Sequence, residues 1–111
     1  EYKINKNYII KIDTTKRDQK SVCLYLQDKQ IDCENGNIDI IQSIDQILKK
    51  HNLQFLYDIK QVIPNTGPGS FTGIKTGVVI ANTLNWALKN NIAYKPNYGS
   101  EPNINLSKNS K

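Results

Sequence analysis

Apolar residues alternate with polar ones in the first third of the chain. The first alternating run, 8–12, ends in a polar turn at 13–15, and a second run follows at 21–26. A third run, 30–33, returns after a short polar turn. Alternation with period two over β-branched residues is typical of strands. The pattern therefore predicts three successive strands joined as an antiparallel meander.

Two helices are predicted further along the chain. Apolar residues recur at helical spacing between 38 and 51, where Asn37 is a suitable N-cap. A short apolar run at 61–64 predicts a fourth strand, and the apolar segment 74–88 predicts a second helix. This second helix is apolar on more than one side, which predicts a second surface packed against it. Residues 92–94 add a candidate fifth strand, so that the predicted order is β-β-β-α-β-α-(β).

Glycines are concentrated between the fourth strand and the second helix. They are Gly67, Gly69 and Gly73. Because glycine admits positive φ and the intervening Pro68 fixes φ, this spacing predicts a loop of defined shape. Ser70 and Thr72 follow in the loop and are candidate caps of the second helix.

Composition narrows the class of protein. A chain of 111 residues with 38% hydrophobic residues is long enough for one domain with its own core. The net charge of +5 suits contact with phosphate, but the lysines are scattered, so a general solubility effect accounts for it equally well. An apolar run of about 20 residues, which a membrane span requires, is not found in the sequence.

The two cysteines fall on neighbouring predicted strands. Cys23 and Cys33 are therefore placed where a cross-strand disulfide is conceivable. A signal peptide is not recognisable in the sequence, so a reduced pair in a cytoplasmic protein is the favoured expectation.

Candidate catalytic residues are few. A Walker-type phosphate loop needs glycine directly before lysine, whereas Ile74 stands between Gly73 and Lys75. Asp13 is expected to bond its own turn in preference to a metal ion. His51, at the end of the first helix, is expected to compensate the helix dipole. Neither a Ser/His/Asp set nor a metal-binding cluster can be assembled from the sequence.

The glycine-rich loop also resembles a known family. The run Gly-Pro-Gly-Ser-Phe-Thr-Gly at 67–73, followed by a basic residue and an apolar helix, resembles the signature of the YeaZ-like TsaB family. Ile-Asp-Thr-Thr at 12–15 is similar to the family's first strand and turn. The resemblance implies an α/β half-domain of the actin-like (ASKHA, RNase H-like) class, with a mixed sheet and two helices, over residues 1–95. Residues 96–111 are expected to form a flexible polar tail, and the family's usual second domain is expected to be absent.

The resemblance implies a function in tRNA modification. TsaB-like proteins are non-catalytic scaffolds that bind the TsaD-type transferase of the tRNA threonylcarbamoyladenosine complex as a heterodimer, through two helices. It also implies self-association through the same helices, indirect contact with tRNA and a cytoplasmic location. No cofactor is expected on the isolated chain, and an ATP or ADP site is expected at the junction with the partner.

Two sets of residues are the candidates for these contacts. The expected partner contacts are Ile41, Ile44, Leu48, Gly73, Gly77 and Ala81. The expected loop and nucleotide contacts are Gly67, Gly69, Ser70, Thr72 and Lys75. On this hypothesis, Gly77→Leu leaves the fold largely intact and blocks association.

Two alternative functions come from other classes of protein. One is a small nucleotide-binding phosphotransferase or ATPase of the actin-like superfamily, which would bind nucleotide as an isolated chain. The other is a basic tRNA-binding module, whose affinity would fall steeply with salt.

Overall fold

Four strands and three helices form the part of the chain that the computed structural model describes, residues 6–97. In chain order they are β1 (Tyr8–Asp13), β2 (Lys20–Leu26), β3 (Lys29–Gly36), α1 (Ile40–Lys50), α2 (Phe55–Asp58), β4 (Ile59–Pro64) and α3 (Phe71–Ala87). This order confirms the predicted α/β half-domain of the actin-like class.

The strands form one mixed sheet in the order β3-β2-β1-β4. The first three strands pair antiparallel, as the meander prediction requires. β4 runs parallel to β1, with Val62 beside Ile10. A parallel neighbour needs a crossover connection, which α1 and α2 provide.

The core lies between one face of the sheet and the helices. α1 packs on β2 and β3, and α3 packs on β4 and β1. Alternate residues of each strand point to this face because the side-chain period of a strand is two. The buried apolar residues of the strands are Ile10, Ile12, Val22, Leu24, Ile59 and Val62, and those of the helices are Ile40, Ile44, Ile47, Leu48, Ile74, Val78 and Ala81.

α1 begins two residues later than a cap at Asn37 would place it. Asp39 is the N-cap, and its Oδ1 accepts a hydrogen bond of 3.0 Å from the Gln42 amide. An aspartate in this position satisfies one of the free N–H groups of the first turn. At the other end, His51 is the C-cap, and its Nε2 lies 2.8 Å from Asp32 Oδ2 on β3.

Two further predictions of secondary structure need correction. The stretch between the first predicted helix and the fourth predicted strand contains the four-residue helix α2, which the sequence pattern did not predict. Residues 92–94 do not form a fifth strand, because the backbone of Tyr94 bonds to a side chain of α3, Asn82. Of the predicted tail at 96–111, residues 98–111 lie outside the described part of the chain.

The cysteines occupy directly opposed positions on β2 and β3. Cys23 is the register partner of Cys33, and the two are joined by a disulfide. The predicted placement on neighbouring strands is confirmed, and the expectation of a reduced pair is wrong. Cross-strand neighbours bring side chains close enough for this bond.

Candidate functional site

The end of β1 and the start of α3 are held together by direct backbone contact. The Thr14 hydroxyl donates to the Gly73 carbonyl, and the Ser70 amide donates to the Thr15 carbonyl over 3.2 Å. A Cβ on Gly73 would overlap the Thr14 carbonyl oxygen, and one on Gly77 would overlap the Thr14 hydroxyl. The two glycines therefore let α3 approach the turn after β1 more closely than any other residue would.

Four of the six predicted partner residues are buried within the chain itself. Gly77 and Ala81 are buried against the chain's own turn and sheet. Ile44 and Leu48 are buried in the core below α1. Their side of each helix therefore faces inward, and Gly77→Leu is expected to disturb the fold, contrary to the prediction from sequence.

Apolar residues on the outer side of α1 and α3 remain exposed. Ile41 of α1 is 53% exposed, and Val79 of α3 is 55% exposed. Between these helices runs a groove of about 460 Å³, lined on its apolar part by Ile38, Ile41 and Ile80. Of the six predicted partner contacts, Ile41 is the one that lines this groove.

A second cavity adjoins the groove at the N-terminus of α3. It has a volume of about 470 Å³, and its lining includes Arg17, Lys20, Ser70 and Thr72. Two cationic side chains and several hydroxyl groups, beside a helix N-terminus, give it a chemistry that suits an anion. Arg17 and Lys20 are not among the residues predicted from sequence, although the charged run 16–20 after the first strand was the available signal.

Only some of the predicted loop residues line this cavity. Ser70 and Thr72 line the cavity, whereas Gly67, Gly69 and Lys75 do not. Ser70 is also the N-cap of α3, because its Oγ accepts a hydrogen bond of 3.2 Å from the Gly73 amide. This confirms one of the two predicted caps.

The defined shape of the loop comes from its backbone. Gly67 adopts φ +107°, which side chains of L-residues rarely allow, and its amide donates to Asn65 Oδ1 over 3.0 Å. The following peptide bond, to Pro68, is cis. Thr66 accepts a hydrogen bond from the Asn97 amide, so the loop is also held from the far end of the described chain.

Asp13 ties this loop to the turn after β1. Its Oδ1 accepts from the Thr15 amide over 2.9 Å and from the Thr15 hydroxyl over 2.7 Å. Its Oδ2 accepts from Asn65 Nδ2 over 3.0 Å. Burial acts to raise the pKa of Asp13, but the hydrogen bonds from Thr15 and Asn65 and the charge of Lys16 outweigh it and hold the pKa below its ordinary value. The carboxylate bonds its own turn, as expected from the sequence.

Residues 6–97 contain neither a metal-binding cluster nor a helix that could span a membrane. Within residues 6–97, histidine, cysteine, aspartate and glutamate side chains do not gather into a group of three that could hold a metal ion. Across the same residues, none of the helices combines the length and apolar character that crossing a membrane would require.

Comparison with known proteins gives one family, and the similar solved structures include two from Pseudomonas aeruginosa. The model of the family "tRNA N6-adenosine threonylcarbamoyltransferase" matches residues 35–94. YeaZ from Pseudomonas aeruginosa superposes with a TM-score of 0.68 at 18% identity, over 80% of this chain and 44% of that one. A second Pseudomonas aeruginosa protein, described as similar to the peptidase YeaZ, gives a TM-score of 0.66 at 18% identity, over 75% of this chain and 40% of that one.

These matches confirm the fold expected from the glycine-rich loop. At such identities the structural likeness concerns the fold alone, and the chain spans less than half the length of either structure. The comparison with curated proteins found no match.

Proposed function

This chain belongs to the tRNA N6-adenosine threonylcarbamoyltransferase family, and we propose that it acts as a non-catalytic partner of a transferase of that family. Its fold is that of the YeaZ structures, and the sequence of its loop resembles the TsaB-like partner subunits. In this proposal the chain docks on a TsaD-type transferase, stabilises it and contacts tRNA only indirectly.

The observation that carries the proposal is the groove between α1 and α3 together with the exposed apolar residues beside it. Ile41 lines the groove, and Val79 is the neighbour in α3 of Ile80, which also lines it; Ile41 and Val79 are each more than half exposed. Exposed apolar surface next to a groove marks a site of protein interaction. A helix of a partner laid into this groove would cover these residues, as in other helix-in-groove interfaces.

The buried residues of the same helices have a supporting role in this proposal. Ile44 and Leu48 fix α1 on the sheet, and Gly77 and Ala81 seat α3. The partner then contacts the outer residues, while the inner ones keep the two helices at a fixed separation. In this proposal the groove is formed before binding, which reduces the entropic cost of association.

The test is to place a charge on the outer face. Ile41→Asp and Val79→Asp should each weaken binding to the transferase by at least about tenfold, because a carboxylate would be buried against an apolar partner. Calorimetry and light scattering of the mixed proteins measure the affinity and the mass of the complex. Both residues are exposed, so the variants should remain folded.

Leu56→Asp is the matched control. Leu56 is 55% exposed, like Val79, but lies in α2, just before the start of β4 and outside the groove. Its variant should bind as tightly as the wild type. If Ile41→Asp and Val79→Asp also bind normally, the proposed interface is wrong.

The cavity beside α3 favours a nucleotide contact at the junction as a second element of the proposal. Arg17 and Lys20 offer positive charge there, and Ser70 and Thr72 offer hydroxyl groups. Because the cavity adjoins the groove, a docked transferase would close it and complete the site.

Calorimetry with ATP and Mg²⁺ should then give binding for the complex that is weakened by Arg17→Ala. Binding by the isolated chain would instead favour the small phosphotransferase or ATPase.

A further inference from the structure

The outward side of α3 carries apolar residues that the fold leaves in solvent. Val79 and Trp86 are about two helical turns apart, so they lie on one side of the helix. Val79 is 55% exposed and Trp86 is 80% exposed, the largest fraction among the exposed large apolar side chains of residues 6–97. The exposed residues Lys75 and Thr83 continue the same spacing, and these four side chains form a ridge along α3.

Trp86 is the only tryptophan of the chain, and it stands at the end of this ridge. A cavity of about 430 Å³ lies beside it, and its lining includes Lys89 and Asn90. Tryptophan is one of the residue types that carry most of the binding energy at protein interfaces, because its indole ring buries a large apolar area and also offers an N–H. An indole ring left in water at this place therefore indicates a contact with another molecule.

The charges around the ridge are all positive. Residues 59–97 contain lysines and no aspartate or glutamate. Lys75 lies one helical turn before Val79, and Lys89 lines the cavity beside Trp86. One lysine thus stands at each end of the apolar residues.

The lysines of α1 are paired within the chain, whereas those of the ridge are not. Lys49 Nζ lies 3.0 Å from Asp45 Oδ2, and Lys50 Nζ lies 3.2 Å from Asp32 Oδ2. Across residues 6–97, the salt bridges all lie at the end of α1, and neither Lys75 nor Lys89 takes part in one. The helix dipole favours a cation at Lys89, near the C-terminus of α3, but gives Lys75 in the second turn no such support.

An acidic protein surface fits this ridge better than a nucleic acid does. Lys75 and Lys89 are 14 positions apart, which is about 21 Å at the rise of a helix. A nucleic-acid backbone carries a phosphate at every nucleotide, and single strands are bound by a continuous cationic groove with several stacked aromatic side chains. Between the two lysines the ridge instead offers Val79 and Thr83, which suit a protein surface.

We propose that the ridge binds an apolar helix of the transferase that is bordered by aspartate or glutamate side chains, with Trp86 as the anchor of the contact. This inference rests on the proposed function, because Val79 is the neighbour of Ile80, which lines the groove, so that one partner covers both. Lys75 and Lys89 then pair with carboxylates that are about four helical turns apart on the partner. Unpaired cations at the margin of an interface act mainly on specificity and on the rate of association.

The test reverses the charge at each end of the ridge. Lys75→Glu and Lys89→Glu should each weaken binding to the transferase at least about fivefold at low salt, and less as salt rises, because salt screens exposed charges. Lys29→Glu is the matched control, since Lys29 is exposed at the start of β3, on the edge of the sheet away from α3. Its affinity should equal that of the wild type. Calorimetry at low and high salt measures all three.

Removing the anchor should act independently of salt. Trp86→Ala should weaken binding at least about tenfold at both salt concentrations, because the lost contact is apolar. Fluorotryptophan incorporated into the wild-type chain labels Trp86 alone, because the chain has no other tryptophan. On addition of unlabelled transferase, the difference in its fluorine NMR shift between H₂O and D₂O should fall as the ring leaves solvent. Unmodified tRNA alone should leave the signal unchanged.

The outcomes separate this inference from the proposed function. If Ile41→Asp weakens binding but Trp86→Ala and both charge reversals bind as the wild type does, the ridge is not part of the interface and the groove remains. Weakening by Trp86→Ala alone overturns the acidic border of the partner. A fluorine shift caused by tRNA alone, and lost affinity for tRNA in Trp86→Ala, makes the ridge a nucleic-acid site and overturns the inference. A wild-type chain that does not bind the transferase overturns both.

Discussion

The two long helices lie on the same face of the sheet but are attached to it differently. α1 packs through large side chains, such as Ile44 and Ile47, on one side only. α3 approaches through Gly77 and Ala81 and still exposes apolar surface elsewhere, with Trp86 80% exposed. The comparison teaches that an amphipathic helix shows its buried side in the sequence pattern, whereas a helix that is apolar on more than one side does not.

The strongest test of this difference is Gly77→Leu. Since any Cβ at this position would overlap the Thr14 hydroxyl, a leucine must push α3 away from β1. We expect the free energy of unfolding to fall by more than about 4 kcal/mol, or folding to be lost. Circular dichroism and urea titration measure the effect.

Thr83→Leu is the control for the same helix. Thr83 is exposed, so the same side chain meets solvent there, and stability should stay within about 0.5 kcal/mol of the wild type. A stable, folded Gly77→Leu variant would mean that the close approach is not required.

Shortening a side chain should cost much more stability on the buried side of α1 than on its exposed side. Ile47→Ala removes a side chain that is almost fully buried, and we expect a loss of roughly 2–5 kcal/mol from the transfer and cavity terms. Ile41→Ala should cost less than about 0.5 kcal/mol, since Ile41 is largely exposed. Urea titration of both variants checks the ratio, and equal losses would contradict the one-sided packing of α1.

Loss of the N-cap should destabilise α1 and α3 by similar amounts. Asp39→Ala and Ser70→Ala each remove one side-chain bond to a first-turn amide, so each should cost about 1 kcal/mol. Thermal unfolding measures both. Asp39→Ser and Ser70→Asp keep a capping oxygen and should recover most of the loss. A larger loss at Ser70 would show that its amide contact to the turn after β1 depends on the cap.

The smallest expected effect is a difference in pH dependence. The hydrogen bond from His51 is the main cause that holds the pKa of Asp32 below its ordinary value of 3.8, and Lys50 adds to it. A lowered carboxyl pKa in the folded state means that its stabilisation is complete above 3.8 and is lost as pH falls through the folded value. Asp32→Asn should therefore flatten the stability curve in this acid range and leave its shape near neutrality unchanged.

Asp13 provides the counterpart on the α3 side. The pKa of Asp13 is also lowered, so the stability that its carboxylate contributes is likewise lost as the pH falls. Urea titrations of Asp13→Asn, Asp32→Asn and the double variant between neutral and acid pH separate the two groups. An acid limb that is unchanged in Asp32→Asn would show that the contact with His51 does not stabilise the end of α1.

The sequence by itself determined the local pattern of this protein. Period-two runs gave the meander, the helical spacing gave α1, and the apolar segment after the glycines gave α3. The glycine-rich loop also pointed to the family's fold, through its resemblance to the TsaB signature at 67–73. These features depend on residues near one another in the chain, which is why pattern and composition were enough.

Tertiary structure decided which residues are available to a partner. The sequence allows Gly77 and Ala81 to contact another chain, whereas in the structure Gly77 lies against Thr14 and Ala81 is buried in the core. Residues 92–94 do not form a strand because the side chain of Asn82 bonds the backbone of Tyr94, 12 positions away, and that of Asn85 bonds the backbone of Val62, 23 positions away. Contacts over such distances follow from the packing of α3 on the sheet, and periodicity along a single element carries no record of them.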